Sequence, residues 1–182
     1  MSGMASPDLD WPDERMVLVV TDGAHYREAV PRVAAALTRR CHGGVVIAAN
    51  RPAQMLRQTL REHGVDLSGV SFIDCISSVA GLPPTPERDV QYIESPTMLE
   101  KMGLRAERAL TGVPGTKRFL ILDSLSTLAM YNGVAAVAEF THNVATRMRL
   151  LDVEGALILV ENVAEPGLLD AVRPLFDRTI EA

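Results

Sequence analysis

Five apolar runs of strand length punctuate the chain: Met16 to Val20, Val45 to Ala49, Val70 to Asp74, Phe119 to Asp123 and Ala156 to Val160. Continuous runs rich in branched residues mark strands buried on both faces, where a half-exposed strand would alternate. Helical stripes fill the intervals. Val30, Val33, Ala34 and Leu37 share one helix face after the turn Thr21-Asp22-Gly23-Ala24, and Pro31 stands early enough for its missing N–H to cost little. Gly43-Gly44 is expected to stop that helix. Pro52 opens a second helix carrying Met55, Leu56 and Leu60, closed at His63-Gly64. Thr97 to Leu110 is helical in pattern, with Thr97 or Ser95 as its cap. Val134, Val137, Thr141, Val144, Met148 and Leu151 predict the longest helix, from about Gly133 to Asp152. A short helix near Leu168 to Leu175 then leads to a last strand near Thr179-Ile180.

Strands alternating with helices predict an α/β fold, a three-layer sandwich with a mostly parallel central sheet. The alternation breaks between Ser77 and Pro96, where Pro83, Pro84, Pro86 and Pro96 mark a long irregular excursion. Such loops are usually functional or mobile, and this one is the expected partner-contacting element. Residues 1–14, with Pro7 and Pro12 and no periodicity, read as a flexible tail ahead of one domain over 15–182.

Composition narrows the function. The 182 residues are 47% hydrophobic and 23% charged, an ordinary globular mix, with a net charge of −5. That balance argues against a nucleic-acid binder, which needs a basic face. No apolar run is long enough for a membrane helix, and the start of the chain is acidic where a signal peptide would be basic and apolar. A cytoplasmic protein is expected. Cys41 and Cys75 stand in unrelated contexts, and His42, His63 and His142 show no ligand spacing, so neither a disulfide framework nor a metal site is predicted.

In open α/β sheets ligands bind beyond the carboxyl ends of the strands. The residues there are Thr21 to Tyr26, Asn50-Arg51-Pro52, Asp74-Cys75, Asp123 to Ser126 and Glu161-Asn162. The run ending in Asp123 has the form of a Walker B segment, whose carboxylate holds Mg²⁺ in nucleotide sites. The order of segments resembles the KaiC-type branch of the RecA-like ATPases. Val45 to Leu67 is similar to that family's second strand and proline-started helix. Phe119 to Tyr131 (FLILDSLSTLAMY) resembles its Walker B strand and turn, and Glu154 to Asn162 its next strand. Phe176 to Ile180 falls where the family often has an aspartate before a final strand. The resemblance implies a RecA/KaiC-like P-loop-type core.

Departures from the pattern bear on activity. A Walker A loop needs G-x-x-x-x-G-K-[ST], glycines and a lysine to wrap phosphate and a hydroxyl for Mg²⁺. Here TDGAHYREAV follows the first strand, and the chain's two lysines, Lys101 and Lys117, follow Glu100 and Thr116 where glycine is required. Ala49-Asn50 stands where KaiC-like ATPases place paired glutamates. The expectation is a degenerate member, with no catalytic residues and no cofactor, acting by contact with a protein partner or by self-association. Gly23, His25, Tyr26, Asn50 and Asp123 would line its vestigial cleft, which could serve small-molecule sensing. His25 and Tyr26 could recognise a small ligand at the helix start, or be simply a loop histidine and a half-buried tyrosine. Asp123 is expected to cap the turn by accepting N–H groups near Leu125 and Ser126. The alternative is an ATPase with a non-standard phosphate loop, Asp123 holding Mg²⁺ beside ATP. Arg51, Arg57 and Arg61 read as a solvated helix face.

Overall fold

The computed structural model describes residues 9–182. Its strands are β1 (Met16–Thr21), β2 (Gly43–Ala48), β3 (Val70–Asp74), β4 (Val90–Tyr92), β5 (Arg118–Asp123), β6 (Val153–Val160) and β7 (Arg178–Glu181). They form one seven-stranded sheet in the order β4-β3-β2-β5-β6-β1-β7. Every pairing is parallel. The helices are α1 (Tyr26–Arg40), α2 (Ala53–Glu62), α3 (Leu99–Thr111), α4 (Leu125–Asn132), α5 (Val134–Leu150) and α6 (Leu168–Val172).

Strand side chains alternate between two apolar clusters, as a pleated sheet with both faces covered requires. Val17 and Val19 of β1 pack with Val30, Val33 and Leu37 of α1 and with Leu56 and Leu60 of α2. Met16, Leu18 and Val20 point the other way, into the cluster of Met102, Leu128, Phe140 and Val172 from α3, α4, α5 and α6. Gly44 is required where β2 crosses β5: a Cβ there would lie 2.4 Å from the Phe119 carbonyl oxygen.

Several expectations change. Gly43-Gly44, expected to end the first helix, are the first residues of β2. Three residues of the proline-rich excursion, Val90 to Tyr92, form the edge strand β4. The segment after Asp123 holds a complete helix, α4. Neither Ser95 nor Thr97 caps α3, which has Met98 at its N-cap and no side-chain cap bond. Their hydroxyls face each other at 2.8 Å instead. Of the expected tail, residues 1–8 lie outside the described residues, while Trp11 is buried to 8% exposure in the α1–α2 cluster.

Register sets the carboxyl edge. Ala48 of β2 pairs with Asp74 on one side and Asp123 on the other, while Thr21 of β1 pairs with Val160 of β6. The loops leaving these strands therefore meet along one rim.

Candidate functional site

The loop from β1 to α1 is closed on itself. Asp22 Oδ1 accepts the Ala24 and His25 N–H groups at 2.9 and 2.8 Å. The His25 ring nitrogen Nδ1 lies 2.8 Å from the same oxygen. Hydrogen bonding from the His25 backbone, and then from its ring, holds the Asp22 carboxyl below the usual carboxylate range. The Gly23 N–H donates to Asn162 Oδ1 at 2.8 Å, and the Tyr26 N–H donates to the Asp22 carbonyl at 2.9 Å. Four successive N–H groups, the set that would meet an anion at this helix start, are thus engaged by the chain.

Tyr26 belongs to the first turn of α1 and is buried. Its hydroxyl donates to Asp123 Oδ1 across the sheet edge. Asp123 itself is fully buried, and its Oδ2 has no hydrogen-bond partner. Burial pushes the Asp123 carboxyl up to about 6, against the Tyr26 hydrogen bond and the nearby Arg51 charge, which pull it down. Burial, and after it the Asp123 charge, raises the Tyr26 phenol well above its ordinary value. The Arg51 guanidinium lies 5.4 Å from the Tyr26 ring centre, a cation–π distance. Its Nε and Nη2 are buried without hydrogen-bond partners.

The expectation that Asp123 caps the following turn is corrected. Its side chain is taken by Tyr26, and Ser124 caps α4, its Oγ accepting the Thr127 N–H at 3.3 Å. Asn50 joins the same corner: its N–H donates to the Asp123 carbonyl at 3.0 Å, and its Oδ1 accepts from the Thr127 hydroxyl at 3.0 Å. Ser126 clips α4 to β6, donating to the Val160 carbonyl at 3.0 Å and accepting its N–H at 2.9 Å.

Of the five residues singled out from sequence, Tyr26 and Asp123 touch, Asn50 holds the Asp123 backbone, Gly23 contacts Asn162, and His25 points outward beside Asp22. Asp22, Arg51 and Asn162 stood among the strand-end residues of the sequence but not among those five, and Thr127, one turn into the next helix, escaped both. Asp22 carried a further signal, an aspartate opening a turn four residues before the helix. The expected solvated arginine face holds for Arg61, which is exposed, and is corrected for Arg51 and Arg57. Arg51 stacks on Tyr26, and Arg57 pairs with Glu87 and, at 3.0 Å, with Asp89, pinning the far end of the proline-rich loop.

Asp74 and Cys75 are structural. Asp74 accepts from the Ala53, Ile76 and Ser77 N–H groups and from the Ser77 hydroxyl, at 2.7 to 3.0 Å. Burial pushes the Cys75 thiol up to about 12. Among the described residues no cluster of three or more His, Cys, Asp or Glu could hold a metal ion, and no helix is long and apolar enough to cross a membrane.

Comparison with solved structures gives the fold. An uncharacterised protein from Pyrococcus horikoshii, crystallised in complex with an unknown peptide, matches with a TM-score of 0.70 at 14% identity, over 93% of this chain and 78% of that one. A KaiC-like protein from the same archaeon matches with a TM-score of 0.63 at 17% identity, over 92% of this chain and 72% of that one. The fold is therefore RecA/KaiC-like, as the Asp123 strand and its neighbours suggested. No curated protein matches the sequence. The chain belongs to a family of unknown function, DUF7504, whose profile matches residues 15–182.

Proposed function

We propose that this protein is a non-catalytic, degenerate member of the RecA/KaiC-like fold that works by binding a protein partner. The carrying observation is the occupied loop: Asp22 and Asn162 take the N–H groups of Gly23, Ala24 and His25, and Tyr26 takes Asp123 Oδ1. Those residues do not fit Mg-ATP. A triphosphate would meet the Asp22 carboxylate where it needs bare N–H donors, and no lysine stands in the loop. Charge-assisted hydrogen bonds contribute roughly 1.5–3 kcal/mol each, so losing several removes tight binding. In this reading the chain has no catalytic residues and needs no cofactor.

The peptide held by the structurally similar Pyrococcus horikoshii protein supports polypeptide binding as a use of this fold. One observation favours a second reading. Asp123 Oδ2 and two Arg51 nitrogens are buried and unpartnered, which a ligand in the cleft, a small signal molecule or Mg-nucleotide, would relieve. A thermal-shift titration separates the two. Millimolar Mg-ATP should leave the melting temperature where it is; a rise of several degrees, abolished by Asp123→Ala, would establish the nucleotide-binding alternative.

A further inference from the structure

We propose that the groove between α3 and α5 is the docking site for an amphipathic helix with basic residues flanking its apolar face. This names the surface and partner chemistry of the interaction reading above and rests on it. The groove has a volume of about 730 Å³ and lies on the sheet face opposite α1 and α2. Leu104, half exposed, and Phe140 line it, with Leu120 of the sheet below. Gly103 keeps it open. Helix interiors disfavour glycine, yet a Cβ here would meet only the Phe140 ring, at an ordinary 3.7 Å. Packing does not demand the glycine, and a larger side chain would project into the groove.

Charge selects the occupant. Glu100 on α3 and Glu139 on α5 are exposed at the groove and have no ion-pair partner among the described residues. The groove's arginine, Arg147, is neutralised by Glu107 at 2.6 Å. The free charge at the rim is therefore negative, as is the chain's net charge of −5. The 13 residues of α3 offer a track roughly 20 Å long at 1.5 Å per residue. An occupying helix would set apolar residues at i, i+3/i+4 and i+7 into that track, with Lys or Arg reaching Glu100 and Glu139.

The test is fluorescence anisotropy on the full chain, using a labelled synthetic helix of about 15 residues with leucines on one face and lysines on the other. The lysine probe should bind, and a counterpart with glutamates in place of lysines should not. Gly103→Leu, which fills the groove and favours the helix, should weaken binding about tenfold or more, as should Glu100→Lys with Glu139→Lys. Circular dichroism checks that the variants stay folded. Absence of lysine-probe binding, or binding indifferent to both changes, overturns the proposal. So does dimerisation in light scattering that Gly103→Leu abolishes, since a second copy would then be the occupant. Loss of probe binding only on shortening the Ser77–Pro96 loop also overturns it but leaves the interaction reading standing; a Mg-ATP thermal shift abolished by Asp123→Ala refutes that reading instead.

Discussion

At the scale of single residues, the contact between Tyr26 and Asp123 governs the candidate cleft. A buried carboxylate with one free oxygen depends on its single phenol donor, so Tyr26→Phe should destabilise the fold by about 1–3 kcal/mol in urea denaturation at neutral pH. Asp123 also writes a pH dependence. Its folded value of about 6 exceeds the ordinary 3.8, so between them the folded chain holds a proton that the unfolded chain has released. Stability from this group is full below the unfolded value and falls as pH rises towards 6, by on the order of 3 kcal/mol. Asp123→Asn should remove that decline, gaining roughly 2–3 kcal/mol relative to wild type between pH 4 and pH 7.5. Asp22 and Asp177, whose carboxyls are held low, act with the opposite sign in both proteins and cancel in the difference. Part of this site was legible: Asp123 ends an apolar run and Tyr26 follows the first strand. Their pairing was not, because 97 positions separate them and only the register of β1, β6 and β5 brings the strand ends together. Arg51 was misplaced because a lone arginine before a proline looks the same in sequence whether it is solvated or stacked.

Among the elements, α4 shows where pattern reading stops. It has eight residues, and Leu125, Leu128 and Ala129 are buried within a stretch too short to display a period. Its start lies in two serines that serve different partners, Ser124 as cap and Ser126 as clip to Val160. Ser126→Ala should cost more than Ser124→Ala, because it leaves both the N–H and the carbonyl of Val160 unpaired in a buried position. Expected losses are about 2–4 kcal/mol for Ser126→Ala, summing two such groups, and about 1 kcal/mol for Ser124→Ala, both read by chemical denaturation. Strand β4 escaped notice because three residues between prolines carry no alternation. The longer strands were legible because β1, β2, β5 and β6 are buried along nearly their whole length, which forces uninterrupted apolar runs. In α3, Gly103→Ala should stabilise the fold by about 0.5–1 kcal/mol, since the added methyl meets no close neighbour.

The molecule as a whole is a sheet clamped between two unequal helical layers, α1 and α2 on one side and α3 to α6 on the other. Its central strands β2, β5, β6 and β1 are each paired on both sides, whereas β4 and β7 have one neighbour. Amide exchange should follow that order, with β5 and β6 opening only on global unfolding and β4 and β7 far sooner. The loop between β1 and α1 contributes something of another kind to how the molecule meets its surroundings. A tethered carboxylate competes for its N–H donors at the effective concentration its tether imposes, millimolar or above. A dissolved phosphate would have to evict a resident rather than settle in a vacant seat. Asp22→Gly should therefore empty that seat for the Ala24 and His25 N–H groups, and added phosphate should move their amide resonances in the variant and leave those of the wild type in place.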